Sequence, residues 1–188
     1  MSLLNDILSY NEEFVEKKEY EAYQKGKVPN KRLLILSCMD TRLVELLPKA
    51  MNVGNGDVKI LKTAGALVSH PFGSIMRSIL VGVYELGIDE ICVVGHHDCG
   101  MSGIKVDDTL KKMKERGVTE EKLDTLAFSG IDFEQFLQGF DNVEDSVKHS
   151  VSTVHNHPLL PTDVPVHGLV INPDTGKLDL VVDGYATK

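Results

Sequence analysis

The chain has 188 residues, of which 42% are hydrophobic and 26% are charged. This balance is typical of a folded globular protein of one domain, and it excludes a disordered or fibrous chain. A net charge of −8 disfavours nucleic acid as a partner, because phosphate contacts need clustered Lys and Arg side chains and the sequence carries no basic stripe.

Residues 2–24 predict one or two amphipathic helices at the start of the chain. Apolar side chains recur there with helical spacing at Leu3, Leu4, Ile7, Leu8, Phe14, Val15 and Tyr23. Acids between them exclude a signal peptide and a membrane span, so we expect a cytoplasmic protein with no membrane partner. We predict one domain over residues 1–188, with residues 1–25 as a helical arm that packs either on its own domain or on a partner subunit.

Three apolar runs predict strands that alternate with helices. The runs are residues 32–38, 56–66 and 89–95. The first and third are continuously apolar, as in strands that are covered on both faces of a parallel sheet. Between the runs, residues 43–51 predict a short helix strained or ended near Pro48, and residues 72–87 predict a longer amphipathic helix.

The second half of the chain predicts helices followed by a hairpin. Residues 105–157 are polar with helical periodicity and glycine breaks, and residues 164–184 place two apolar runs around Asn-Pro-Asp-Thr-Gly. We therefore predict an α/β fold. Its central sheet is mostly parallel and flanked by helices, with an antiparallel C-terminal edge hairpin and an N-terminal helical arm.

Metal-ligand residues follow two of the predicted strands. Cys38 comes at the end of the first run, and His96 and Cys99 follow the third. Because the carboxyl ends of parallel strands open into a crevice, we expect these three side chains to converge. Two thiolates and an imidazole suit Zn²⁺, and three protein ligands leave the fourth position open to water, as in catalytic zinc sites.

Asp40 and Arg42 stand next to this predicted site. Asp40 lies two residues beyond Cys38, close enough to approach the fourth metal position, and an Arg fork two residues further on would orient it and keep it ionised. The same carboxylate can accept a hydrogen bond from a zinc-bound hydroxide or bind the zinc itself. An active form and a closed form are thus both predicted.

The motifs CMDTR (38–42) and HHDCG (96–100), joined by KTAGA and a helix, resemble those of the β-class carbonic anhydrases. The resemblance covers roughly residues 30–105 and is closest to the compact prokaryotic branch. It implies Cys38, His96 and Cys99 as zinc ligands, Asp40 and Arg42 as a catalytic dyad, and a homodimer or a dimer of dimers. The chain has no Trp, so the bicarbonate-inhibited site of some members is expected to be absent.

The function that these residues imply is the reversible hydration of carbon dioxide to bicarbonate and a proton. Zinc-bound hydroxide would attack the substrate, and backbone N–H groups near Gly100 would steady the developing oxyanion. Two alternatives stay open. One is hydrolysis of carbon disulfide or carbonyl sulfide, and the other is a non-catalytic zinc protein in which Asp40 is a permanent fourth ligand.

Other reactive side chains have simpler interpretations. Cys92 lies inside the third strand and is predicted to pack in the core. His97 points away from its neighbour on an extended segment and is a weak candidate for a proton shuttle, and Asp98 is predicted to accept backbone N–H groups of the following turn. The scattered histidines are predicted to lie on the surface: His70, His149, His155, His157 and His167.

Overall fold

A single twisted sheet forms the centre of the structure, a computed structural model that describes residues 2–186. Its strands are β1 (Leu33–Cys38), β2 (Val58–Thr63), β3 (Glu90–His96), β4 (Val166–Ile171) and β5 (Leu178–Val182). The order across the sheet is β2-β1-β3-β4-β5, with β1 to β4 parallel and β5 antiparallel to β4. The predicted fold class is confirmed. Met1, Thr187 and Lys188, which belong to the predicted 1–188 domain, lie outside the described residues.

Helices connect the strands. They are α1 (Leu3–Glu16), α2 (Leu43–Ala50), α3 (Ser74–Leu86), α4 (Val106–Glu115), α5 (Glu120–Phe128), α6 (Phe133–Leu137) and α7 (Val143–His155), with 3₁₀ turns at Glu19–Tyr23 and Ala64–Ala66. The strand predicted over residues 56–66 is observed as Val58–Thr63, and the small residues at the end of that run form a turn in which Gly65 has φ +72°. Pro48 lies inside α2, which ends two residues later at Ala50.

The helices cover the sheet unequally. α2 packs through Leu43 and Leu47 on one face, in a cluster with Ile35, Val94 and Ile171. α3 and α7 pack on the other face, in a larger cluster that contains Leu34, Leu36, Met76, Ile79, Ile91, Val93, Val147, Val151 and Val154. This division follows from right-handed crossovers, since the chain moves one way across the sheet from β1 to β2 and the opposite way afterwards.

Burial along the strands follows their positions in the sheet. β1 and β3 lie side by side in the middle, and every residue after the first of each strand is buried. This confirms that continuously apolar runs mark strands covered on both faces. β2 lies at the edge, and its residues are half-buried or exposed.

The apolar side chains of the N-terminal arm are exposed to solvent. Within the described chain no residue of α1 is buried. The 3₁₀ turn that follows contacts α1 through the rings of Phe14 and Tyr23, whose centroids are 6.3 Å apart. Exposed apolar residues of α1 are Leu3, Leu4, Ile7, Leu8, Tyr10 and Val15. None of the helices in residues 2–186 has the length and apolar character needed to cross a membrane.

Candidate metal centre

The candidate site lies at the switch point of the sheet. β1 and β3 are neighbours and parallel, with Ser37 in register with Val94, so both strands end at the same edge. After β1 the chain turns back to form β2 on one side, and after β3 it leaves for β4 on the other side. The divergence of these loops opens a crevice at the carboxyl ends of β1 and β3, as expected for open α/β sheets.

Cys38, His96 and Cys99 converge in this crevice. All three side chains are buried, and one potential ligand atom from each lies within 4.8 Å of the other two. The two sulfur atoms are 3.8 Å apart. Two sulfurs at the usual Zn–S distance of about 2.3 Å from one tetrahedral ion would themselves be separated by about 3.8 Å. The donor set and its spacing therefore fit Zn²⁺.

His96 has one ring nitrogen engaged and one free. Nδ1 lies 2.8 Å from the carbonyl oxygen of His97, which fixes it as the N–H donor. Nε2 is buried and has no hydrogen-bond partner among the described residues. A buried polar atom without a partner is costly, so a cation at this point would satisfy Nε2. The arrangement resembles metal-bound imidazoles, whose second nitrogen is held by a carbonyl or carboxylate.

The two thiols differ in acidity. Burial raises the pKa of Cys38, but the neighbouring His96 imidazole and the backbone N–H groups of Asp40 and Gly65 outweigh burial and lower that pKa to about 7. At Cys99 burial outweighs the N–H group of Met101, the nearby Cys38 adds to the effect, and the pKa rises to about 11. One thiolate is thus available near neutral pH, and a bound dication would deprotonate the second thiol.

Asp40 and Arg42 form a bidentate ion pair beside the three donors. Nε and Nη2 of Arg42 donate to the two carboxylate oxygens of Asp40 at 3.0 and 2.9 Å, and the Arg42 backbone N–H donates at 2.9 Å. Arg42 holds the pKa of Asp40 at about 2, so the carboxylate is ionised at neutral pH. Its Oδ2 lies 3.8 Å from His96 Nε2, which places the pair at the margin of the donor set.

Asp98 differs from its prediction. Its carboxylate accepts a hydrogen bond from Arg42 Nη1 at 3.0 Å, and its carbonyl oxygen accepts one from Nη2 at 2.8 Å. The expected capping of the following turn by this side chain is therefore wrong. The local sequence gives no sign of this contact, because Asp98 and Arg42 meet only when β1 and β3 pair.

Residues that the sequence analysis missed hold the ligand loops in place. Phe140 exchanges backbone hydrogen bonds with the loop after Cys99, through Met101 O and the N–H of Gly103. Its ring also closes over Gly65, where an added Cβ would come within 2.9 Å of it. On the other side of β3, a Cβ at Gly95 would come within 2.7 Å of a Val147 methyl group. These contacts are made by α7 and the segment before it, which lie far from both motifs in sequence.

The remaining predictions have mixed outcomes. Cys92 is buried in the α2-side cluster, as predicted, and His97 is exposed while His96 is buried. His157 and His167 are buried, so their predicted surface position is wrong. His157 packs on the ring of Phe72, and the backbone N–H of Gly184 donates to Nδ1 of His167 at 3.0 Å. Neither histidine belongs to the donor group described above.

An open α/β sheet with a buried Cys₂His donor set at its switch point defines a candidate metal-binding protein of the α/β class. A family model described as carbonic anhydrase matches residues 33–178, which include both motifs and four of the five strands in full. The chain therefore belongs to the carbonic anhydrases, in their β class.

Known relatives agree with this membership. A Bacillus subtilis protein provisionally named as a carbonic anhydrase, YtiB, is 65% identical over 185 residues, which cover 98% of this chain and 99% of that protein. The crystal structure of β-carbonic anhydrase isoform I from Trichomonas vaginalis aligns with a TM-score of 0.89 at 35% identity, covering 98% and 100% of the two chains. A carbon disulfide hydrolase from Acidianus is 33% identical over 166 residues, covering 82% of this chain and 79% of that protein.

Proposed function

We propose that this protein is a zinc enzyme that catalyses the reversible hydration of carbon dioxide to bicarbonate and a proton. The observation that carries the proposal is the convergence of Cys38, His96 and Cys99 beside an ionised carboxylate, that of Asp40, gripped by Arg42. Membership of the carbonic anhydrase family supports the same conclusion.

Cys38, His96 and Cys99 would hold the zinc ion. Three ligands from the protein leave a fourth position for water, which is the arrangement of catalytic rather than structural zinc sites. Bound zinc would supply acidity, since it lowers the pKa of a coordinated water from 15.7 to about 7. The two thiolates neutralise the charge of a dication, which weakens its effect on bound water. The protein must therefore supply a hydrogen-bonding group that orients the nucleophile.

We assign this orienting role to Asp40. An ionised carboxylate can only accept hydrogen bonds, and the pKa of Asp40, lowered by Arg42, keeps it ionised at neutral pH. By accepting a hydrogen bond from the attacking hydroxide, Asp40 would orient a lone pair of that oxygen towards the substrate. Asp40 is held by Arg42 and is absent from the group of mutually close donors found in residues 2–186, which supports the active form over the closed form.

The loop after Cys99 has room for the substrate. A Cβ added to Gly100 would meet no heavy atom within 4 Å, so there is open space beside this residue, and we propose that its backbone N–H steadies the developing oxyanion. A cavity of about 420 Å³ adjoins His96 and Cys99 and is also lined by His97 and Asp141. We propose this cavity as the route by which the released proton reaches His97 or buffer.

Mutation of the dyad tests the mechanism. Asp40→Asn and Arg42→Ala should each retain one zinc ion per chain and lose most hydration activity, measured by stopped-flow pH change. Wild-type rates in either variant with zinc bound would show that the dyad assignment is wrong. Loss of zinc in Cys38→Ala would not separate a catalytic from a structural site, so it serves only as a control for metal content.

A second candidate function is hydrolysis of carbon disulfide or carbonyl sulfide, which the relative from Acidianus favours. These molecules are linear, uncharged carbon electrophiles like carbon dioxide, so the same donor set and dyad would serve. Purified zinc-loaded protein should be assayed with all three substrates side by side. Turnover of carbon disulfide without carbon dioxide hydration would replace our proposal, and no turnover of any substrate would favour a non-catalytic zinc protein.

We also propose that the active protein is a homodimer or a dimer of dimers. The exposed apolar side chains of α1 support an arm, residues 1–25, that extends from a single 1–188 domain and packs on a second copy of the chain. Burial of such side chains is the main source of stability in obligate interfaces.

Free thiols at Cys38 and Cys99 support a cytoplasmic location, since a reducing compartment keeps them available for zinc.

A further inference from the structure

The guanidinium group of Arg42 binds two carboxylates, of which the function proposed above uses one. Four of its five N–H groups are engaged: two donate to Asp40 and two donate to Asp98. Asp98 supplies both a carboxylate oxygen and a carbonyl oxygen, on the side of the guanidinium away from Nε. Asp98 stands between His96 and Cys99, 56 residues beyond Arg42 in sequence.

The backbone at Asp98 makes this double contact possible. Its φ is +53°, in the left-handed region that most residues with a side chain avoid. Aspartate and asparagine adopt this conformation more readily than other residues that carry a Cβ. Asp98 therefore combines a tolerated turn conformation with a negative charge beside Arg42, which neither glycine nor asparagine would do.

Stabilisation of the fold does not account for the contact. The side chain of Asp98 is 87% exposed, and that of Arg42 is 37% exposed. Ion pairs at such exposure add little to stability, because water screens them. Their geometric effect is larger, since a planar guanidinium held along two edges is restrained to one orientation. The orientation of Arg42 in turn fixes Asp40, whose side chain is only 17% exposed.

We propose that Asp98 is a positioning residue for the hydration reaction: it locks Arg42 so that Arg42 holds Asp40 beside the nucleophile. The inference rests on the proposed function. Asp98 acts only through Arg42 and touches neither the substrate nor the metal position. By bridging the two motifs, it also makes the orientation of Asp40 depend on the turn that carries His96 and Cys99.

Two substitutions separate the charge of Asp98 from its backbone role. Asp98→Asn tolerates the left-handed turn and keeps an amide oxygen that can accept from Nη1, and Asp98→Gly keeps the turn and the backbone carbonyl but removes the side chain. The matched control is Asp89→Asn. Asp89 pairs with Arg32 at 2.8 Å, again between exposed side chains, and Arg32 also donates to a carbonyl, that of Gly87. This second pair lies just before β3, at the amino-terminal ends of the strands and therefore far from the metal centre.

Two readouts are needed, and one does not depend on activity. The first is kcat and KM for carbon dioxide hydration, with zinc content measured on the same samples. The second is the hydrogen exchange rate of the Arg42 Nε–H group by ¹⁵N NMR, with zinc bound and after chelation. The chain has only four arginines, so the Nε signals are few and assignable by substitution.

We expect Asp98→Gly to keep zinc, to lower kcat about tenfold with KM unchanged, and to accelerate exchange at Arg42 Nε. Asp98→Asn should fall between this variant and the wild type, and Asp89→Asn should change the Arg32 signal alone. Wild-type kcat and wild-type Arg42 exchange in Asp98→Gly would overturn the proposal. So would a loss of kcat with unchanged Arg42 exchange, because Asp98 would then act by another route. If the wild-type zinc protein hydrates no carbon dioxide, the proposed function fails, and the exchange rates still decide whether Asp98 holds Arg42.

Discussion

Cys38 Sγ and Cys99 Sγ stand 3.8 Å apart across the boundary between β1 and β3, and no disulfide joins them. This separation suits two thiolates that share one ion. It also couples the two thiols electrically, because the first thiolate to form raises the cost of the second. The His96 imidazole and two backbone N–H groups lower the pKa of Cys38 to about 7, whereas burial, with a smaller contribution from the neighbouring Cys38, raises that of Cys99 to about 11.

Titration of the zinc-free protein should therefore detect one acidic thiol. The ultraviolet absorbance of thiolate should rise with a midpoint near pH 7 from Cys38, while Cys99 and Cys92, whose pKa values are raised to about 11 and about 12, stay protonated to high pH. Because the pKa of Cys38 is lowered, its thiolate is present above the midpoint and is lost below it. In His96→Ala the midpoint should move upwards, since the imidazole that lowers the pKa of Cys38 is gone. A first midpoint that stays near pH 7 in Cys38→Ala would contradict this assignment.

Cysteine substitutions should separate the ligands from the core thiol. Cys92→Ala should keep one zinc ion per chain and full activity, at a cost of about 1 kcal/mol in the free energy of unfolding for the small cavity. Cys38→Ala and Cys99→Ala should lose zinc. Metal analysis of the three variants, prepared identically, measures this directly. Loss of zinc in Cys92→Ala with an intact fold would mean that the wrong cysteines have been assigned.

The sequence was sufficient to predict that Cys38, His96 and Cys99 converge, but not which contacts hold them in place. β1 and β3 are continuously apolar, so their central position and the convergence of Cys38 with His96 follow from local pattern and from the rules of parallel sheets. Asp98 and Phe140 escaped prediction because their roles depend on contacts between distant segments. The burial of His167 likewise depends on β3 and β5, which bring Glu90 and Gly184 to its ring.

Gly95 should tolerate no side chain, because α7 packs directly on it. A Cβ there would lie 2.7 Å from Cγ2 of the buried Val147 and 2.8 Å from Cγ2 of the partly buried Val143. Gly95→Ala should thus lower the free energy of unfolding by about 1–3 kcal/mol and weaken zinc binding, since His96 is the next residue. Gly26→Ala is the matched control, because nothing lies within 4 Å of its Cβ position. Equal urea midpoints for the two variants would show that α7 moves to accommodate the methyl group with no loss of stability.

The exposed face of α1 should control assembly. Leu4 and Ile7 are 63% and 55% exposed in the single chain and are one helical turn apart, so together they form part of an apolar stripe. If this stripe packs on a second chain, the double variant Leu4→Asp, Ile7→Asp would place two charges in an apolar interface and dissociate it. Sedimentation should then show the mass of one 20.7 kDa chain for the variant and at least twice that mass for the wild type.

The matched control for assembly is Glu12→Gln, Glu13→Gln, which changes charge on the same exposed helix without altering its apolar stripe. This control should remain associated. Retention of one zinc ion per chain in the Leu4→Asp, Ile7→Asp variant would show that the metal centre folds within a single chain, as the position of all three donors in one crevice leads us to expect. Unchanged association in that variant would place the subunit contact elsewhere and contradict the proposed role of α1.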